Sequence, residues 1–378
     1  MTTSSSFCDS PVLMPYSILV VDDSVIYRKA LTKILLGMSD VGEVRQASNG
    51  KEGVKLYNEK NADLVTMDVE MPLMNGIEAL KEILNVNPKA KVIMISSVTK
   101  RGAGYTIDAL SAGAADFITK EQAFGLRDEQ AETLGETLQE KFKTVLEINF
   151  PPQVDQAKPV FTPKVTTPTP EVKKVYSRNI IPSPVNLLLV GSSTGGPPAL
   201  TKLLHGMKAK RNYATVIVQH MPPMFTAQLA DNLSKVCKKN VVEASEGLVL
   251  EKDLIVIAPG GSHLELRKRG DKWVCAITDS EPVKSCKPSV DVTFQSVARQ
   301  IITKEVVAMI MTGMGDDGVD GCEELVKNKI PILTQERTSC TVYGMPKAVD
   351  ERNLACRHAT PPFLINEAEK FMLHPGQL

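Results

Sequence analysis

Asn186-Leu187-Leu188-Leu189-Val190-Gly191-Ser192-Ser193-Thr194-Gly195-Gly196-Pro197-Pro198 is an apolar run, then a turn of small residues, then a segment opened by proline. A buried parallel strand reads as a continuous apolar run. Proline is favoured at the first helical position. The stretch is therefore one strand-to-helix step of a β/α alternation. Downstream, Ala214–Gln219, Leu254–Ala258, Val306–Thr312 and Ile330–Leu333 read as further buried strands separated by helical patterns. Parallel strands joined by helices form a doubly wound sheet, with ligands at the carboxyl ends of the strands.

Gly191-x-Ser193-x-Gly195 has the spacing of a nucleophile elbow. Glycines on both sides permit the sharp turn that lifts the serine hydroxyl clear of the backbone. The following helix presents N–H groups, starting with Thr194, to a developing oxyanion. Such a turn can instead cradle phosphate. The dinucleotide version wants an acidic residue near the end of the next strand, but Ala214–Gln219 runs into His220, and the turn lacks the lysine of a P-loop. The hydrolytic reading is favoured. His220 could be an ordinary histidine in a strand-end turn, and Asp316-Asp317-Gly318 an ordinary helix cap. Their positions after two other strands of the same sheet supply the residue types of a serine–histidine–carboxylate triad.

Upstream, residues 149–184 hold eight of the chain's 24 prolines. That density supports neither helix nor central strand and predicts a semi-extended linker. It divides the chain into a lead-in (1–15), a first domain (16–148), the linker (149–184) and a second domain (185–378). The first domain repeats the alternation, with strands expected at Ile18–Val21, Glu43–Ala47, Leu64–Met67, Val92–Ile95 and Asp116–Thr119. The fold class is α/β: two doubly wound parallel-sheet domains joined by a proline-rich linker.

In the first domain Asp22 and Asp23 follow the first strand, Asp68 the third and Lys120 the fifth. Three carboxylates meeting in one crevice repel unless a cation compensates, and hard oxygen ligands suit Mg²⁺. One carboxylate could then act as nucleophile toward a phosphoryl group. Ser96 would donate a hydrogen bond to a phosphoryl oxygen, and Lys120 would supply a positive charge to it. Asn75-Gly76 reads as a turn that leaves Asp68 exposed. Singly, each residue has a plain reading, for example Asp23-Ser24 as a helix cap. Jointly they point to a site.

Of 378 residues, 43% are apolar and 23% charged, with Lys plus Arg and Asp plus Glu both totalling 44. This is the composition of a globular protein, and the balance gives no basic footprint for nucleic acid. No apolar run spans a bilayer and the N-terminus lacks the pattern of a signal peptide. The seven cysteines are scattered without a C-x-x-C, so the sequence indicates neither a disulfide framework nor a zinc site. The expected compartment is the cytoplasm, without membrane insertion.

Val20-Val21-Asp22-Asp23-Ser24, Met67-Asp68-Val69-Glu70-Met71-Pro72, Ser96 and Lys120 resemble the receiver domain of two-component response regulators. That resemblance implies a flavodoxin-like fold and phosphorylation of Asp68 by a histidine kinase. It also implies Mg²⁺ held at Asp22, Asp23 and Asp68, and a switch involving Ser96, Phe117 and Lys120. The family usually has proline after the lysine, often in a cis peptide. Glu121 stands there instead, and a cis bond without proline costs about 2.5–4 kcal/mol.

The second domain resembles the chemotaxis protein-glutamate methylesterases. The resemblance rests on Gly191–Gly196, Gln219-His220-Met221, Pro288-Ser289-Val290-Asp291, Thr312–Gly318 and Tyr343-Gly344-Met345-Pro346. It implies Ser193 as nucleophile, His220 as general base and then acid, and Asp317, rather than its neighbour Asp316, as the orienting carboxylate. Thr194 and the N–H of Met314 would flank the oxyanion, with no cofactor in this domain. The implied activity is phosphorylation-activated hydrolysis of glutamyl methyl esters, with deamidation of glutamines, on methyl-accepting chemotaxis receptors. The competing expectations are a phosphorylation-gated adaptor without catalysis, and a hydrolase acting on another ester.

Overall fold

The structure is a computed structural model that describes residues 15–121, 131–146, 186–300 and 306–373. The lead-in before residue 15 and the proline-rich linker lie outside the described residues.

The first domain alternates β1 (Tyr16–Val21), α1 (Val25–Leu36), β2 (Val41–Ala47), α2 (Gly50–Glu59), β3 (Leu64–Asp68), α3 (Gly76–Val86), β4 (Val92–Ser96), α4 (Lys100–Ala112) and β5 (Asp116–Thr119), with α5 (Ala131–Leu146) after it. The strands pair in parallel in the order β2-β1-β3-β4-β5. This is the flavodoxin-like order, with its crevice where the chain reverses between β1 and β3. β3 and β4 are buried throughout, which is why they read as mostly apolar runs.

The second domain begins with β6 (Asn186–Ser192), α6 (Gly196–Gly206), β7 (Tyr213–Gln219), α7 (Phe225–Cys237), β8 (Val241–Glu243) and β9 (Ile255–Ile257). An antiparallel hairpin of β10 (His263–Arg269) and β11 (Lys272–Thr278) leads to α8 (Val290–Ala298). Then come β12 (Val306–Ile310), α9 (Val319–Lys327), β13 (Ile332–Gln335), α10 (Met345–Glu351), β14 (Arg357–Ala359) and α11 (Pro361–Leu373). The seven-stranded sheet runs β14-β13-β12-β6-β7-β9-β8, all parallel. Its chain starts in the middle and winds outward both ways. Gly191 pairs with Val218 on one side and Ile310 on the other. The three strands therefore end in step, and residues 193, 220 and 313–318 emerge at one edge.

Three local expectations are corrected. Asn75 is a helix cap rather than part of a free turn, and Asp68 is buried rather than left exposed by it. Its Oδ1 accepts the N–H groups of Ile77 and Glu78, and the Glu78 carboxylate accepts the N–H of Asn75. β12 stops at Ile310 instead of Thr312, whose N–H donates to the Gln335 side chain. The β10–β11 hairpin was not anticipated, because His263–Arg269 carries charged residues that break the apolar run. The peptide between Lys120 and Glu121 is trans, and among the described residues only Pro288 follows a cis bond. Among the described residues no helix is long and apolar enough to cross a membrane.

The two domains share one buried apolar cluster. It contains Ala103, Ile107 and Phe117 of the first domain and Met221, Phe225 and Leu229 of the second. Phe117 and Phe225 stack with ring centroids 4.7 Å apart and planes inclined by 18°. Beside them α4 lies along α7, where Asn232 bonds Asp108 and Ser111, each at 3.3 Å.

Candidate active site

Ser193 follows β6 in a turn that only glycine can complete. Gly195 has φ of +75°, and a Cβ there would lie 2.3 Å from Thr341. The turn is held by the neighbouring strand ends. The N–H of Ser193 donates to the Thr312 carbonyl at 3.0 Å, and the Gln219 amide donates to the Ser193 carbonyl at 2.9 Å. The Thr312 hydroxyl lies 2.9 Å from the Thr194 carbonyl and 3.2 Å from that of Val342. Pro197 and Pro198 occupy the start of α6, where missing N–H groups cost nothing. Ser193 itself stays partly exposed.

His220 follows β7, and its N–H donates to the Ser192 carbonyl at 3.1 Å, which fixes it beside the serine turn. Its Nε2 lies 2.7 Å from Asp317 Oδ2, with the imidazole 13% and the carboxylate 2% exposed. The hydrogen bond sets the tautomer. Nε2–H donates to the carboxylate, so Nδ1 is the nitrogen that carries the lone pair when the ring is neutral. Nδ1 faces the Cys286 thiol at 3.6 Å. Among the described residues no hydrogen bond joins the Ser193 hydroxyl to His220, and such contacts are often long in uncomplexed sites.

Asp317 is held from several sides. Oδ1 accepts the Ser289 hydroxyl at 2.8 Å and the Asp291 N–H at 3.0 Å, while Oδ2 accepts the Val290 N–H at 2.7 Å. The donors are the N-terminus of α8, which favours negative charge. Burial alone would raise the Asp317 pKa. His220 and the α8 N–H groups outweigh it and hold the carboxyl down at about 2. For His220, burial alone would favour the neutral ring, but Asp317 and Cys286 overcome it and push the imidazole up to about 9. Asp316 points elsewhere. It is 59% exposed and pairs with Lys284.

The serine turn also touches the first domain. The Thr194 hydroxyl donates to Asp116 Oδ2 at 2.7 Å, a buried contact, and Lys141 pairs with the same oxygen at 3.1 Å. The Thr144 hydroxyl reaches the Met314 sulfur at 3.1 Å. Thr194, Met314 and Phe117 all lie in this seam.

In the first domain Asp22, Asp23 and Asp68 bring carboxylate oxygens within 4.8 Å of one another. Lys120 Nζ lies 2.9 Å from Asp68 Oδ2 and 3.5 Å from Asp22 Oδ2. Asp22 Oδ2 is buried with no hydrogen-bond partner. Burial, and then the neighbouring Asp22 charge, push the Asp68 carboxyl up to about 6 despite Lys120. A crevice of about 130 Å³ lined by Asp23, Asp68, Ser96, Gly102 and Lys120 opens here. An orphaned carboxylate oxygen and an under-compensated acidic trio fit a hard divalent cation. The Ser96 hydroxyl is turned to the Gly102 carbonyl at 3.3 Å.

The family model described as CheB methylesterase matches residues 188–368, and that of the response regulator receiver domain matches residues 18–126. The protein-glutamate methylesterase/protein-glutamine glutaminase of Halalkalibacterium halodurans is 39% identical over 338 residues, covering 89% of this chain and 92% of that protein. The protein of the same name from Trichodesmium erythraeum is 36% identical over 340 residues, covering 90% and 94%. The chain belongs to the protein-glutamate methylesterase family. The catalytic domain of the Thermotoga maritima CheB methylesterase is 30% identical, with a TM-score of 0.48. It covers 50% of this chain and 98% of that one.

Four residues at this methylesterase-family site were given no role by the sequence, although Gln219 and Ser289 stand within the motifs that carry the resemblance. Gln219 accepts the Ser192 hydroxyl at 2.7 Å and braces the serine turn. Ser289 could have been found as an N-cap serine ahead of an apolar helix. Asp116 and Cys286 carried no local signal, since each meets the site only across a tertiary contact.

Proposed function

We propose that this chain hydrolyses γ-glutamyl methyl esters on the cytoplasmic helices of methyl-accepting chemoreceptors, and deamidates receptor glutamines by the same chemistry. Family membership supports the reaction class. The observation that carries the residue assignment is the buried 2.7 Å contact from His220 to Asp317 beside the serine turn.

Ser193 Oγ attacks the ester carbonyl and its proton passes to His220 Nδ1, while Asp317 holds the Nε2–H and stabilises the imidazolium. The N–H groups of Thr194 and Met314 receive the oxyanion. His220 returns the proton to the leaving oxygen, methanol departs, and water resolves the acyl-enzyme to free glutamate.

The first domain is the control element. Asp68 accepts the phosphoryl group from a chemotaxis histidine kinase. Asp22, Asp23 and Asp68 would hold Mg²⁺, which offsets their charge. In the resting state Asp116 and Phe117 cover the serine turn. Modification of Asp68, linked through Lys120 and Ser96, favours a form in which that cover is released. The division into 16–148, linker 149–184 and 185–378, and a cytoplasmic location, belong to the same reading.

The test is methanol release from methylated receptor membranes, with and without a small phosphodonor. Ser193→Ala is expected to abolish release and Asp68→Asn to remove the response to the phosphodonor. Release that survives Ser193→Ala would refute the assignment of the nucleophile.

A further inference from the structure

Between the hairpin and α8 the chain makes a tight reversal at Val283-Lys284-Ser285-Cys286. Val283 and Cys286 exchange backbone hydrogen bonds of 3.1 and 2.9 Å. The two central residues both have positive φ, 49° and 60°. This is the dihedral pattern of a type I′ turn, which is dominated by glycine, asparagine and aspartate. Lysine and serine are strained there, and such strain persists only when the surroundings over-determine it. Lys284 supplies that hold. Its ammonium lies 2.9 Å from Asp291 Oδ2, 3.0 Å from Asp320 and 3.1 Å from the Asp316 carbonyl. The consequence is the position of Cys286, whose sulfur is brought to 3.6 Å from His220 Nδ1.

That separation has a coordination meaning. Zinc–sulfur bonds of about 2.3 Å and zinc–nitrogen bonds of about 2.0–2.1 Å, at a tetrahedral angle, put S and N about 3.6 Å apart. The other ring nitrogen already donates to a carboxylate, Asp317, at 2.7 Å, and that carboxylate accepts three further hydrogen bonds. A histidine whose second N–H is held by a buried carboxylate is the usual form of a metal-ligating imidazole. His220, Cys286 and Asp317 bring ligand atoms within 4.8 Å of one another, with the sulfur and Nδ1 on one side of the ring and the carboxylate on the other. The thiolate–imidazole pair selects a borderline-soft divalent cation over Mg²⁺ or Ca²⁺.

We propose that His220 Nδ1 and Cys286 Sγ form the binding edge of an inhibitory site for Zn²⁺ or a similar thiophilic divalent cation, with Asp317 as the carboxylate behind the imidazole. Binding releases the Cys286 thiol proton to solvent and leaves the remaining coordination positions to water. The ion occupies the lone pair that would take the Ser193 proton. That inhibitory consequence rests on the function proposed above, whereas the binding itself does not.

The test uses the full chain freed of metal. Alkylation of Cys286 by iodoacetamide, followed by peptide mass spectrometry, should slow roughly tenfold in micromolar Zn²⁺, while the half-buried Cys340 and Cys356 react at unchanged rates. Titration with Co²⁺ should give a thiolate-to-cobalt charge-transfer band that is lost in both Cys286→Ser and His220→Ala. For methanol release, the zinc concentration giving half inhibition should rise roughly tenfold in Cys286→Ser, measured against that variant's own uninhibited rate. The proposal is overturned if zinc leaves Cys286 alkylation unchanged, or if the cobalt band fails to form or survives both substitutions. Absence of any methanol release would instead count against the proposed function, leaving labelling and cobalt to judge the site.

Discussion

Asp316 and Asp317 are chemically identical neighbours with opposite fates. Asp317 is buried against His220 and the start of α8, whereas Asp316 is mostly exposed on Lys284. The difference is made by donors, and it can be tested through one of them. Ser289→Ala removes the hydroxyl on Asp317 Oδ1 together with the N-cap bond to Val292. It should cost about 0.5–2 kcal/mol of stability and lower kcat roughly tenfold with little change in KM. Thermal unfolding and methanol-release kinetics check both, and an unchanged kcat would mean that the two backbone N–H groups suffice. The imidazole gives a second prediction. His220 is raised to about 9, so near neutral pH its lone pair is largely occupied by a proton. Basal kcat/KM of the resting protein should climb about tenfold per pH unit from 7 toward 8 and level above about 9. A profile that is flat from 7 to 9 would be incompatible with this protonation state.

Elements position these residues through the ends of strands and the starts of helices. The β3–α3 connection is one case. A Cβ on Gly76 would lie 2.0 Å from the Asp68 carbonyl oxygen, so the first residue of α3 must be glycine for the loop to close over Asp68. Gly76→Ala should destabilise the first domain by about 1–3 kcal/mol and blunt the phosphodonor response. Unfolding of the first domain at an unshifted temperature would count against this close approach. Strand existence was legible at this scale because β1, β3, β4, β6 and β7 are buried and apolar along almost their whole length. The hairpin before α8 was not. His263–Arg269 alternates toward solvent, and its charged residues mask a strand whose partner lies a tight turn away. The cap at Asn75 shows the same limit, since asparagine before glycine serves a turn or a helix start equally well until Glu78 is seen to reach back.

At the scale of the molecule, the two domains meet in a seam whose parts come from distant stretches of chain. Phe117 stacks on Phe225, and Asp116 takes the hydroxyl of Thr194. A stacked aromatic pair is worth about 0.5–1.5 kcal/mol beyond its buried area. Phe117→Ala should therefore raise methanol release in the absence of phosphodonor roughly two- to tenfold, and shrink the further gain on phosphorylation. A folded variant with an unchanged basal rate would show that Phe117 does not help to cover the serine turn.

By itself, the amino-acid order determined the two parallel-sheet domains, the strand ends that carry Asp68, Ser193, His220 and Asp317, and the proline-dense stretch between the domains. Those features are local: apolar runs of strand length, glycines where a turn requires them, and acids just after a strand. Family resemblance pointed to Asp317 over Asp316, but only the tertiary structure supplied the contact to His220, the hold of the α8 start on that carboxylate, and Cys286 on the other ring nitrogen. It alone set Asp116 against Thr194 of the serine turn and Phe117 against Phe225. Each of these is a contact between residues 26 to 108 positions apart. Hydrogen bonds and stacking act over a few ångströms of space, and nothing in the local sequence records which distant partner the fold will bring within that range.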